Sequence, residues 1–152
     1  MYLSIDQSLR ASGIVIGKNL TIIHKETHRT TGLSEDEALL SLFNKLNSLI
    51  SEYDIQHLVY EAVQLQGNTQ TLITLARVQG IVKLVAELNS LKSCTQISAS
   101  TWKSFHEIRG RGRTEQKRNA KLKATELYGI EFTNDEADAA LMLSASGGLN
   151  FD

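Results

Sequence analysis

Four carboxylates in this 152-residue sequence stand where an acid is either costly or directional. Asp6 closes the run Tyr-Leu-Ser-Ile-Asp, and Glu61 closes His-Leu-Val-Tyr-Glu, each a short apolar stretch of strand character. An acid at the end of a buried strand is unfavourable unless it has a partner or a function. Asp135 and Asp138 follow in Asn-Asp-Glu-Ala-Asp, three residues apart, so a helix projects both from one face. If the fold gathers the four, their repulsion must be relieved by protons or by cations. A ligand set made only of oxygens selects hard ions such as Mg²⁺. Each acid taken singly also has a structural reading. Asp135, for instance, suits the first turn of a helix, where the dipole favours negative charge.

A second feature lies in residues 103–123. This segment holds eight basic residues (Lys103, Arg109, Arg111, Arg113, Lys117, Arg118, Lys121 and Lys123) against two acidic ones, Glu107 and Glu115. The remainder holds eight basic against fifteen acidic residues, so a formal net charge of −1 hides a strongly basic segment on an acidic body. A polyanionic partner is one reading, and a solvated helix face is the other. Trp102, Phe105 and His106 adjoin the segment. Trp102 and Phe105 are expected to anchor a helix to the core, with stacking on exposed bases as the alternative. His106 is expected to be an exposed polar residue, with proton transfer as its alternative role.

The elements that must position these groups follow from periodicity. Tyr2 to Asp6, Ser12 to Gly17 and Leu20 to His28 read as three strands with short connections, hence an antiparallel meander. His24 and His28 share a strand face and are expected to be exposed, with no third ligand nearby. Ser34 and Glu37 form a capping-box pattern ahead of Leu39, Leu42, Phe43, Leu46, Leu49 and Ile50, which predicts a helix over Glu35 to Glu52. His57 to Glu61 reads as a buried strand, and Gly67-Asn68 as the turn before a helix from Thr69 to Asn89. That helix is apolar around much of its circumference, which predicts burial on more than one side. Cys94 to Ser98 reads as a fifth strand with a buried thiol, and Thr101 to His106 as a helical turn. Arg109 to Arg113 is expected to be a flexible basic loop, because its glycines oppose helix. Helices are predicted from Glu115 to Tyr128 and from the Thr133/Glu136 capping box to about Gly147-Gly148. The order βββ-α-β-α-β-α-α predicts an α/β layer architecture in one domain, residues 1–152.

Composition narrows the class. Hydrophobic residues make up 41% and charged residues 22%, as in an ordinary globular domain. No stretch reads as a membrane span, because Lys83 and Glu87 interrupt the longest apolar runs, and no signal peptide is expected at the start. The single cysteine, Cys94, excludes a disulfide framework and a multi-cysteine zinc site, so a reducing, cytoplasmic setting is expected.

Taken in order, Leu3-Ser-Ile-Asp6-Gln-Ser-Leu-Arg-Ala-Ser-Gly13-Ile, Tyr60-Glu61 before a turn and a long helix, and Asn134-Asp135-Glu-Ala-Asp138-Ala-Ala-Leu resemble the RuvC-type Holliday junction resolvases over essentially the whole chain. The resemblance implies a ribonuclease H-like fold, with a mixed five-stranded sheet flanked by helices. It also implies four metal-binding acids (Asp6, Glu61, Asp135 and Asp138), two Mg²⁺ ions replaceable by Mn²⁺, and a homodimer that cuts four-way DNA junctions. Lys103 and Lys117 resemble the family's basic residues near the active site. Lys103, Arg109, Arg111, Arg113, Lys117, Arg118 and Lys121 are the expected DNA contacts. In such a site two ions about 3.5–4 Å apart activate a water and stabilise the leaving 3′-oxygen. Asp6 is the expected bridging ligand, and Lys117 is expected to stabilise charge on the phosphate in flight.

The chain departs from cellular members in having Gln7-Ser8 in place of Pro-Gly, and Gln64 in place of an aromatic. The departures point to a divergent, bacteriophage-like member, at work in a bacterial or infected host cell. Two alternatives stay open: a ribonuclease H-like nuclease of the YqgF type acting on structured RNA, and a non-catalytic protein that binds branched DNA.

Overall fold

The computed structural model describes residues 1–64 and 67–147. The first three strands are β1 (Tyr2–Asp6), β2 (Ala11–Lys18) and β3 (Thr21–Arg29), an antiparallel meander as predicted. Helix α1 (Glu35–Glu52) then leads to β4 (His57–Glu61), and α2 (Thr69–Leu88) to β5 (Ser93–Ile97). Both crossovers return the chain parallel to its neighbour, giving a mixed sheet of order β3-β2-β1-β4-β5. The chain continues through α3 (Ala99–Phe105), α4 (Gly112–Tyr128) and α5 (Asn134–Ala145). The end predicted near Gly147-Gly148 falls partly outside the described residues, since Gly148 is not among them.

Strand alternation divides the core in two. Leu3, Ile5, Ile14, Ile16, Leu58 and Tyr60 face one side, where Leu42, Leu46 and Leu49 of α1 and Val78, Val82 and Val85 of α2 cover them. Val15 and Val59 face the other side, against Ala137, Ala140, Leu141 and Met142 of α5 and Trp102 of α3. Asp6 has the parity of Ser4, and Glu61 that of Val59, so both acids belong to the α5 side.

The α5 side is packed closely at one point. A Cβ built on Gly13 of β2 would lie 2.0 Å from the Asp135 carbonyl oxygen and 2.9 Å from the Glu136 nitrogen. Only glycine lets the first turn of α5 rest on the strand there. The helix start is fixed by a capping box. Thr133 Oγ1 accepts from the Glu136 N–H at 3.2 Å, and Glu136 Oε1 accepts from the Thr133 N–H at 2.9 Å. Lys25 Nζ on β3 lies 3.3 Å from the same buried carboxylate, tying the helix start to the sheet edge.

Several local expectations are corrected. Cys94 is exposed, because β5 is the outer strand and the helix layers cover the inner ones. His106 is buried: its Nε2 is 2.9 Å from the Leu141 carbonyl, which can only accept, and 2.8 Å from Ser144 Oγ. Burial pushes the His106 pKa down, consistent with a neutral structural ring. Phe105 is exposed, so Trp102 alone anchors α3. His24 and His28 are half-buried, with Nε2 of His24 2.7 Å from Glu26 and Nε2 of His28 3.1 Å from Ser41. The basic loop is shorter than expected. Gly112 and Arg113 open α4, and the remainder is held by the Arg111 N–H donating to Glu115 Oε2 at 3.0 Å and by Asn119 Nδ2 donating to the Arg109 carbonyl.

On α2, Val78, Val82 and Val85 are spent on the core, and Leu72, Leu75 and Ile81 are half-buried. Ile73, Leu84 and Leu88 remain exposed, on the side where a Cβ on Gly80 would meet nothing within 4 Å.

Candidate active site

Strand β1 runs parallel to β4 with Ile5 opposite Tyr60, so the two inner strands end side by side and deliver Asp6 and Glu61 to the same end of the sheet. Helix α5 crosses the sheet with its N-terminal turn at that end, and Asp138 joins the first two acids. These three line a cavity of about 370 Å³, together with Trp102 and Lys103 of α3 and Arg113, Gln116 and Lys117 of α4. Asp135 does not line it. It stands half-buried beside Gly13, close enough for its charge to act on both Asp6 and Asp138.

The electrostatics are those of a crowded acidic site. Burial, and then repulsion by Glu61, Asp138 and Asp135, push the Asp6 carboxyl well above the ordinary carboxylate range, with Lys117 opposing. Burial and Glu61 push Asp138 up to about 7, while Lys103 and Lys117 pull it back. Burial also raises Glu61, against a hydrogen bond from Trp102 and the charge of Lys103. Buried acids crowded together, with Asp6 and Asp138 raised further by their acidic neighbours, suit a cation that would lower them. Among the described residues, no three His, Cys, Asp or Glu side chains converge into a ready-made metal cage. An open wall of carboxylates fits Mg²⁺, which keeps several waters and uses a few carboxylates plus substrate phosphate. The donor set therefore fits a hard divalent ion.

The cationic side is built by burial next to charge. Trp102 is buried and His106 is bonded to α5, so the α3 backbone between them is fixed and presents Lys103 to the cavity. Lys117 and Arg113 reach it from α4, whose Ala120 and Ala124 pack into the core beneath. Among the described residues, neither lysine nor Arg113 has a carboxylate within ion-pair distance. Arg109, Arg111, Arg118 and Lys121 lie outside the cavity, exposed on the loop and on α4. Gln116 is a lining residue that sequence reasoning missed, since nothing in its neighbourhood sets it apart from an ordinary helix surface position.

The model of the crossover junction endodeoxyribonuclease RuvC matches residues 2–145. The chain belongs to the RuvC family. Members of that family are divalent-metal endonucleases that resolve Holliday junctions. Among solved structures, Thermus thermophilus RuvC in complex with a Holliday junction substrate is similar, with a TM-score of 0.80 at 12% identity. That match covers 95% of this chain and 90% of the other. A second Thermus thermophilus RuvC structure gives 0.75 at 14% identity, over 95% and 91%. The yeast mitochondrial Holliday junction resolvase Ydc2 gives 0.57 at 14% identity, over 95% and 76%. At such identities the likeness establishes the fold, which is ribonuclease H-like as the sequence implied. No match to a curated protein sequence was found.

Proposed function

We propose that this chain is a Mg²⁺-dependent, homodimeric resolvase of four-way DNA junctions, with Asp6, Glu61, Asp138 and Asp135 as its metal-binding acids. The observation that carries the assignment is the meeting of Asp6, Glu61 and Asp138 with Lys103 and Lys117 around one cavity in a RuvC-family chain. When bound, the metal ions supply activation of the attacking water and stabilisation of the leaving 3′-oxygen. Asp6 feels the charge of Glu61 and of both α5 acids, which suits it to serve more than one ion. Asp135, outside the cavity lining, adds its charge to the field acting on Asp6 and Asp138. Lys117 and Lys103 hold the scissile phosphate over the acids and offset charge that grows on its oxygens. Mn²⁺ is expected to replace Mg²⁺.

Arg109, Arg111, Arg113, Arg118 and Lys121 extend the positive surface from the cavity along the loop and α4, and would hold duplex arms through their phosphates. This readout carries no base information. The dimer is proposed to form through the outer face of α2, where Ile73, Leu84 and Leu88 are exposed beside Gly80. A two-fold axis places two equivalent sites on two strands of like polarity.

The deciding experiment is incubation with a labelled immobile four-way junction, with and without Mg²⁺. Paired symmetric nicks are expected from the wild type. Asp6→Asn, Glu61→Gln and Asp138→Asn should bind the junction and fail to cut it, because affinity rests on cations and chemistry on ionised carboxylates. Preferential cutting of structured RNA would replace the substrate, and near-normal nicking by Asp6→Asn would refute the metal assignment.

A further inference from the structure

Glu61 is held from two directions, by the side chains of Gln7 and Trp102. The β1–β4 ladder ends at the Ile5–Tyr60 pair, because the chain after Asp6 turns away into the hairpin. Glu61 thereby keeps a main-chain N–H and C=O facing β1 with no strand opposite. Gln7, only 8% exposed, satisfies both: its Nε2 donates to the Glu61 carbonyl at 2.6 Å, and its Oε1 accepts from the Glu61 N–H at 3.1 Å. The carboxamide takes the place of a peptide unit and adds one rung to the sheet next to Asp6. On the other flank, the Ala62 N–H donates to the Ile97 carbonyl of β5 at 2.8 Å, so the backbone around Glu61 is clamped on both sides.

The carboxylate is fixed as well. Trp102, 1% exposed, donates its indole Nε1–H to Glu61 Oε2 at 3.1 Å. Oε1 has no protein donor among the described residues, and the side chain lines the acidic cavity. Main chain, one oxygen and the remaining free oxygen are thus assigned to three different directions.

We propose that Gln7 and Trp102 are positioning residues that pin Glu61, Gln7 by its main chain and Trp102 by one carboxylate oxygen, so that the other oxygen faces the cation. The inference rests on the reading of Glu61 as a metal ligand. Side chains that orient a ligand in this way commonly change metal affinity or activity by about 10–100-fold when removed.

The test uses the full chain with Gln7→Leu, which keeps the volume and removes both bonds, and Trp102→Phe, which keeps an aromatic ring and removes the indole N–H. Mn²⁺ titration of the metal-free protein, followed by electron paramagnetic resonance, should show at least tenfold weaker binding for each variant. Hydrogen exchange at the Glu61 amide should accelerate in Gln7→Leu at unchanged junction affinity, and stay slow in Trp102→Phe. In a Glu61→Gln background, Trp102→Phe should have no further effect on Mn²⁺ binding. If Glu61→Gln itself leaves Mn²⁺ binding intact, Glu61 is not a ligand and the underlying reading fails. If Glu61→Gln weakens binding while neither Gln7→Leu nor Trp102→Phe does, the positioning proposal alone is overturned. Should Gln7→Leu melt without cooperativity, the Trp102→Phe result decides by itself.

Discussion

Asp138→Asn should make the metal-free protein more stable while destroying its cleavage activity. The Asp138 carboxyl is raised from 3.8 to about 7 by burial and by Glu61. A group that holds its proton more tightly folded than unfolded favours the folded state at low pH. That advantage is lost as pH rises from the unfolded value through the folded one. Between pH 4 and 7 the unfolded chain releases the proton and the folded chain keeps it, so stability falls. Above pH 7 the folded protein carries an unfavourable charge. The shift is about three units at about 1.36 kcal/mol each, which sets a ceiling of about 4 kcal/mol. Screening at a half-buried site leaves roughly 2–4 kcal/mol. An amide cannot ionise, so in EDTA at pH 8 Asp138→Asn should gain that amount, or roughly 4–15 °C in Tm. The gain should shrink through pH 6 and vanish near pH 4. Added Mn²⁺ should raise the Tm of the wild type more than that of the variant. Thermal melts across this pH range are the assay. A variant no more stable than wild type at pH 8, or one whose gain is the same at pH 4, would refute the electrostatic account.

Gly13→Ala should cost about 3 kcal/mol or more, because the new methyl meets the Asp135 carbonyl backbone; denaturant melts would show it, and an unchanged midpoint would mean that α5 shifts freely. Leu84→Glu, at an exposed position on α2, should yield folded monomers in sedimentation. Val82→Glu, with its side chain in the core, should abolish cooperative unfolding; paired cuts made by a folded Leu84→Glu monomer would defeat the dimer model. Replacing Arg109, Arg111 and Arg113 together by Ala should flatten the salt dependence of junction binding by up to about three units of slope, about one for each phosphate no longer neutralised. Lys117→Ala should lower the cleavage rate more than the affinity, and an effect confined to affinity would leave Lys117 a docking role only.

The linear sequence determined the elements and the acids. Strand alternation around Leu3, Ile5, Leu58 and Tyr60, helical spacing from Leu42 to Ile50, and the caps at Ser34 and Thr133 are local signals. They give the order of strands and helices with ends displaced by a few residues at most. Asp6, Glu61 and Asp138 were legible because an acid that closes an apolar strand, or recurs on one helix face, contradicts its surroundings. Tertiary structure decided what no local signal encodes. Whether Cys94 is buried depends on β5 lying at the sheet edge, and whether His106 is exposed depends on α5 passing over it. The broad apolar stripe of α2 was visible, but only packing separated Val78, Val82 and Val85, which the core consumes, from Ile73, Leu84 and Leu88, which it leaves at the surface. Gln7 shows the difference most clearly. In sequence it is one polar residue after an acid. Its pairing with Glu61, 54 residues away, exists only because β1 stops one rung short of β4. A residue's chemistry is fixed by its type, but its partner is fixed by where the chain returns.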